Sequence, residues 1–152
     1  MIKKALVLVV VLLPACAAVM GAQSNAVMDT LLAEKSASFE DAVYLVLTAV
    51  NAVPADASVA DAVTAAAGQP WRMKVADPAA PITLGQYAFL LMQAFHLHGG
   101  IMYSLFPGPR YAARELSFQR FIAGDASPYR TISGSEVVQI LGAVMDKEGG
   151  AS

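Results

Sequence analysis

TLGQYAFLLMQAF, residues 83–95, opens on a hydroxyl residue, carries a glutamine three positions later, and then sets apolar side chains at Tyr87, Ala88, Leu90, Leu91, Ala94 and Phe95. The spacing i, i+1, i+3, i+4, i+7, i+8 is one face of a helix. Thr83 with Gln86 is the capping-box pattern: the hydroxyl accepts from an early helix N–H and the N3 side chain reaches back to the N–H of the cap. Two further stretches align with this one without gaps. SFEDAVYLVLTAV, residues 38–50, pairs Ser38 with Asp41, and SGSEVVQILGAVM, residues 133–145, pairs Ser133 with Glu136. Asp41 is the weaker member, being short for the reach back. The three starts lie 45 and 50 residues apart, and the apolar positions coincide. Three capped amphipathic helices at similar spacing predict a duplicated supersecondary unit.

Weaker helical patterns lie between them. Residues 26–35 follow Asn25 as a cap, 59–67 follow Ser58 and stop at Gly68 and Pro70, and 110–122 follow Pro109 and precede Gly124. Beyond the N-terminal segment, strand patterns are nearly absent. The expectation is an all-α chain: three degenerate helix-loop-helix repeats packed as one small helical domain over residues 23–147, with a flexible tail at 148–152. In sequence order, each weaker helix precedes a strong capped one.

The composition limits the function classes. The 152 residues are 57% hydrophobic and 14% charged, with a net charge of −2, which argues against a disordered chain or a nucleic-acid-wrapping one. The single cysteine allows no intrachain disulfide. Charge is unevenly placed. Residues 23–71 hold one base and six acids, whereas 72–130 hold six bases and three acids. The middle of the chain is therefore either the face for an anionic partner or a normally solvated surface, the plainer reading.

Residues 1–22, MIKKALVLVVVLLPACAAVMGA, have a basic start, an apolar run and small residues after it, the order of a secretory signal peptide. Leu13-Pro14-Ala15-Cys16 resembles a bacterial lipobox, in which Cys16 would carry the lipid; cleavage further on, near Gly21 or Ala22, is the other reading. The expected location is exported, in the periplasm or outer envelope, with membrane attachment only through a lipid anchor.

The connectors before the later strong helices, Asp77-Pro-Ala-Ala-Pro-Ile-Thr83 and Phe121-Ile-Ala-Gly-Asp-Ala-Ser-Pro-Tyr-Arg-Thr-Ile-Ser133, resemble those of S-layer homology repeats in bacterial exported proteins and lipoproteins. In that family an Ile-Thr-Arg-Ala-Glu motif opens the second helix of each repeat. The corresponding positions here begin at Ala37, Ile82 and Ile132, and the likeness spans roughly residues 25–146. The motif's Arg, associated with binding cell-wall polymer, is replaced by Phe39, Leu84 and Gly134. The resemblance implies a non-catalytic envelope module that binds peptidoglycan or another acidic wall glycan.

No catalytic constellation is suggested, and the pattern calls for no cofactor or metal. His96 and His98 form a His-x-His pair where the second strong helix ends, but a closed zinc site needs about four ligands; a helix-end cap is the plainer role. Glu115 lies on an apolar arc and is expected to pair with Arg114 or Arg120, or to cap a neighbouring backbone group. The segment 99–111, GGIMYSLFPGPRY, is the most unusual. It reads as a loop of flexible Gly, rigid Pro and large apolar residues, either folded over the core as a plug or serving as a contact site. In the second case Trp71, Tyr103 and Tyr111 would stack on sugar rings and Arg110 and Arg114 would meet acidic groups. The partner would be a wall glycan. Alternatively the protein is an adaptor docking on an envelope protein through residues 99–111.

Overall fold

The computed structural model describes residues 25–71, 73–74 and 77–150. The signal-peptide and lipidation expectations for residues 1–22, Cys16 included, lie outside the described residues, as do the last two positions of the expected tail.

Among the described residues the regular elements are all helices. Helix α1 covers residues 25–33, α2 Phe39–Ala49, α3 Val59–Ala67, α4 Leu84–Ala94, α5 Ile101–Leu105, α6 Pro109–Phe118 and α7 Gly134–Gly149. Ser38, Thr83 and Ser133 are the N-caps of α2, α4 and α7, and each hydroxyl accepts the N–H three residues on. The apolar faces of these three helices meet in one core, with Val43, Val46, Leu90, Leu91, Val137 and Val144 fully or almost fully buried. Met145, the last residue of the third face, turns outward.

Two caps depart from the expected box. Thr83 and Gln86 make both bonds. Asp41 bonds the Ser38 hydroxyl instead, and the Ser38 N–H goes to the Glu34 carboxylate at 3.1 Å. Glu136 is engaged by the guanidinium of Arg130. Short reach alone does not explain Asp41, because Asp61 closes a full box on Ser58. The competing partner decides: Glu34 already fills the place at Ser38.

The repeat closes through its backbone. The residues just before the three caps form a ring: the Ala37 N–H donates to the Ile132 carbonyl (2.8 Å), Ile132 to Ile82 (3.4 Å), and Ile82 to Ala37 (2.9 Å). A second set runs in the opposite sense from the first helical residues: Phe39 to Ala80 (2.9 Å), Leu84 to Arg130 (2.8 Å) and Gly134 to Glu34 (3.1 Å). Helix N-termini carry N–H groups without intrahelical partners, and here each repeat supplies a carbonyl to the one before it, the first serving the third. Two edges of this ring are isolated antiparallel bridges, Ser38 with Pro81 and Thr83 with Thr131. The third edge is displaced by one residue, so no bridge forms there.

The helices pair differently from the expected order. α2 packs chiefly on α3, and α4 on α6, so each strong helix takes the weaker helix that follows it. α7 meets the end of α1, where a Cβ on Gly134 would overlap the Leu31 carbonyl oxygen. The pattern of apolar faces fixes each helix but not its partner, and the ring inverts the pairing.

Two weaker helices are shorter than expected. α1 ends at residue 33, because the Glu34 carbonyl serves Gly134 and its carboxylate serves Ser38. α6 ends at Phe118, where Arg120 adopts φ 66° and the Phe121 N–H returns to the Leu116 carbonyl at 2.9 Å. α2 and α4 close the same way on Asn51 (φ 55°) and His96 (φ 52°), with Ala52 bonding Leu47 and Leu97 bonding Met92. These are Schellman closures, in which the residue after the C-cap sits in the left-handed region. α7 extends through Gly149, so Glu148 and Gly149, expected in the tail, are helical.

Candidate binding surface on α5 and α6

Residues 99–111 are not a loop. The Glu115 carboxylate accepts from the N–H of Gly100, the N-cap of α5, at 2.9 Å, and from the Gln119 side chain at 3.1 Å. Tyr103 is the inward residue of α5. Its ring meets Phe89 of α4 edge-on at 6.5 Å, and its hydroxyl accepts from the Gln93 amide at 2.8 Å. Burial pushes this phenol above its ordinary value, and the bond from Gln93 offsets part of that. Gly99 lies beneath the Tyr103 ring, where a Cβ would come within 2.5 Å of it. The first glycine of the pair therefore serves close packing rather than hinging. The plug expectation holds only for Tyr103; Ile101, Met102, Leu105 and Phe106 face outward.

α6 begins at Pro109, whose missing N–H costs nothing at the first helical position. Ala112, Ala113 and Leu116 are buried, which turns Arg110 and Arg114 outward, one turn apart. Across from them run Ala126, Ser127, Pro128 and Tyr129, and the space between is a groove of about 580 Å³. The far wall is pinned. Ser127 donates its N–H to Asp125 at 2.9 Å, the Pro128 carbonyl accepts from Gly85 at 2.9 Å, and Arg130 donates to the Asp125 carbonyl at 2.7 Å while pairing with Glu136. The hydrogen bonds to Glu136 hold the Arg130 guanidinium above its ordinary range. Among the described residues only Arg130 has carboxylate partners, which leaves Arg110 and Arg114 as the uncommitted cations of the groove.

The five residues expected to form a site are divided among neighbouring depressions. Arg110 and Arg114 line the groove. Arg114 also borders a second hollow of about 360 Å³ with Tyr103 and Tyr111. Trp71 lies in a third, with Phe89, Leu105 and Phe106. Trp71 and Tyr103 are each only 9% exposed, so their rings are largely taken up by the core. Tyr129, not anticipated, is 78% exposed on the groove wall. It sits in the connector that precedes the third strong helix, and the repeat's register is the signal that could have placed that connector beside α6.

His96 and His98 are exposed. The backbone of His96 closes α4, and the carbonyl of His98 accepts from Gln119 at 3.0 Å. Among the described residues no three His, Cys, Asp or Glu side chains gather as metal ligands, and no helix is long and apolar enough to cross a membrane. The three positions that replace the motif's Arg lie at the hub: Phe39 and Leu84 are buried, and Gly134 has no room for a side chain. Comparison with family models, with curated proteins and with solved structures finds no match.

Proposed function

We propose that the chain is a non-catalytic cell-envelope module whose α6 groove binds an acidic group of peptidoglycan or another wall glycan. The observation that carries this reading is the pair of uncommitted guanidinium groups, Arg110 and Arg114, facing exposed Tyr129 across a pinned wall. A carboxylate in the groove would meet two sets of directed donors. The flat face of Tyr129 suits the apolar side of a sugar ring. The duplicated capped helices support an S-layer-homology-like reading, and the apolar segment ending at Cys16 supports export with a lipid tether. With the motif's own position buried at the hub, the binding role passes to α6. The function is reversible association; no bond is made or broken.

The test is co-sedimentation of the full chain with purified peptidoglycan sacculi. Arg110→Ala with Arg114→Ala should weaken pelleting about ten-fold or more, with a larger effect at low salt than at high. The melting temperature should stay nearly constant, because both side chains are exposed. Equal pelleting of parent and variant, or a large loss of thermal stability, would overturn the assignment.

A further inference from the structure

Five large apolar side chains stand out together: Ile101, Met102 and Leu105 on α5, Phe106 just after it, and Phe118 at the end of α6. Ile101 is 79% exposed and Phe118 83%. Ile101, Met102 and Phe118 border one hollow with Arg114, while Leu105 and Phe106 border the next with Trp71. None of the five is needed to hold α5, which Tyr103 and the Gly100–Glu115 bond already anchor. A contiguous apolar group of this kind on a folded surface marks a contact site.

The charge beside it in the chain is predominantly basic. From residue 97 to 120 the ionised side chains are Arg110, Arg114, Glu115 and Arg120, and Glu115 is already bonded to Gly100 and Gln119. We propose that this ridge inserts into the surface of an anionic lipid bilayer. The inference goes beyond the glycan groove and does not rest on it. Aliphatic tips offer a glycan no hydrogen bond, and tips as exposed as Ile101 and Phe118 would need a matched recess in a protein partner. A bilayer interface needs no matched shape. It takes an apolar end to a depth of about 5–10 Å, and α5, at roughly 1.5 Å per residue, is of that size. Anionic headgroups would meet Arg110 and Arg114, whose long stems can lie along the apolar boundary with the charge in the headgroup layer.

The chain's single tryptophan supplies the reporter, because Trp71 borders Leu105 and Phe106. The full chain is mixed with phosphatidylcholine vesicles, with or without phosphatidylglycerol, whose acyl chains are brominated near the headgroup. Trp71 emission should be quenched by the anionic vesicles, with about ten-fold weaker partitioning into the neutral ones. Ile101→Ser with Leu105→Ser should lower partitioning roughly ten-fold per side chain. Phe118→Ser, on a different helix, should lower it as well and guards against a local rearrangement of α5. The proposal is overturned if Trp71 is not quenched, or if both variants partition like the parent, which would assign binding to the apolar N-terminal segment. It is also overturned if the variants keep their partitioning but lose an envelope protein that copurifies with the parent.

Discussion

The hydroxyl of Tyr87 donates to the main-chain carbonyl of Val137 across 2.8 Å of buried space, tying α4 to α7. Both residues stand four positions after their caps, so the bond joins equivalent points of two repeats. Tyr87→Phe keeps the ring and removes the donor, and should cost about 1 kcal/mol. Burial also pushes the phenol well above its ordinary 10.0. An unfolded chain would release this proton near pH 10 while the folded chain holds it. Stability from this group is therefore fully present below pH 10 and declines as pH rises beyond it. Urea midpoints measured from pH 8 to 11 should fall less steeply for Tyr87→Phe than for the parent.

Two glycines of α7 should respond with opposite sign. A Cβ at Gly134 would overlap the Leu31 carbonyl, whereas one at Gly142 meets nothing within 4 Å. Gly134→Ala should destabilise by about 3 kcal/mol, because backbone at the hub must move. Gly142→Ala should stabilise by about 0.5–1 kcal/mol through helix propensity. Chemical denaturation of both variants checks the contrast; equal effects would mean that α1 and α7 do not meet in this way.

Arg120 holds a left-handed conformation at the end of α6 without the advantage of glycine. Arg120→Gly relieves that strain, partly offset by greater freedom in the unfolded chain, for a net gain of about 0.5–1 kcal/mol. Asn51→Gly, at the equivalent closure of α2, should gain less, since asparagine tolerates this region. Thermal melts of the two variants order the effects.

Glu115→Ala should release α5 without unfolding the domain. The Gly100 N–H loses its carboxylate partner, at a local cost of about 1 kcal/mol. Hydrogen exchange should quicken at residues 100–106 and stay slow in α4 and α7. Uniform acceleration across the chain would show that α5 belongs to the global folding unit.

The three strong helices were legible because cap and apolar period coincide in each, and Ser38, Thr83 and Ser133 start them where the sequence places them. The weaker helices were legible in type but not in extent. Their ends are set by long-range demands, such as the Glu34 carbonyl serving Gly134. The sequence of α5 reads as a loop because its two glycines and flanking prolines resemble punctuation. What makes it a helix is Glu115, a turn and more into the next helix, and the pocket for Tyr103 on α4. In the candidate site, Arg110 and Arg114 follow from α6 periodicity alone. Tyr129 does not, because its place opposite them depends on how the repeats close on one another.

That closure bears on the order in which the protein can assemble. The ring needs Ala37, Ile82 and Ile132 at once, and the end of α1 meets the start of α7 through the Glu34–Gly134 bond and the approach of Leu31 to Gly134. Among the described helices, the first to be synthesised thus waits for the last. Until α7 is available, Ile82 lacks its donor from Ile132 and the apolar faces of α2 and α4 lack one side of their enclosure. A nascent chain stalled before residue 133 would hold two helical pairs with an open seam, so the core closes only once α7 has been made.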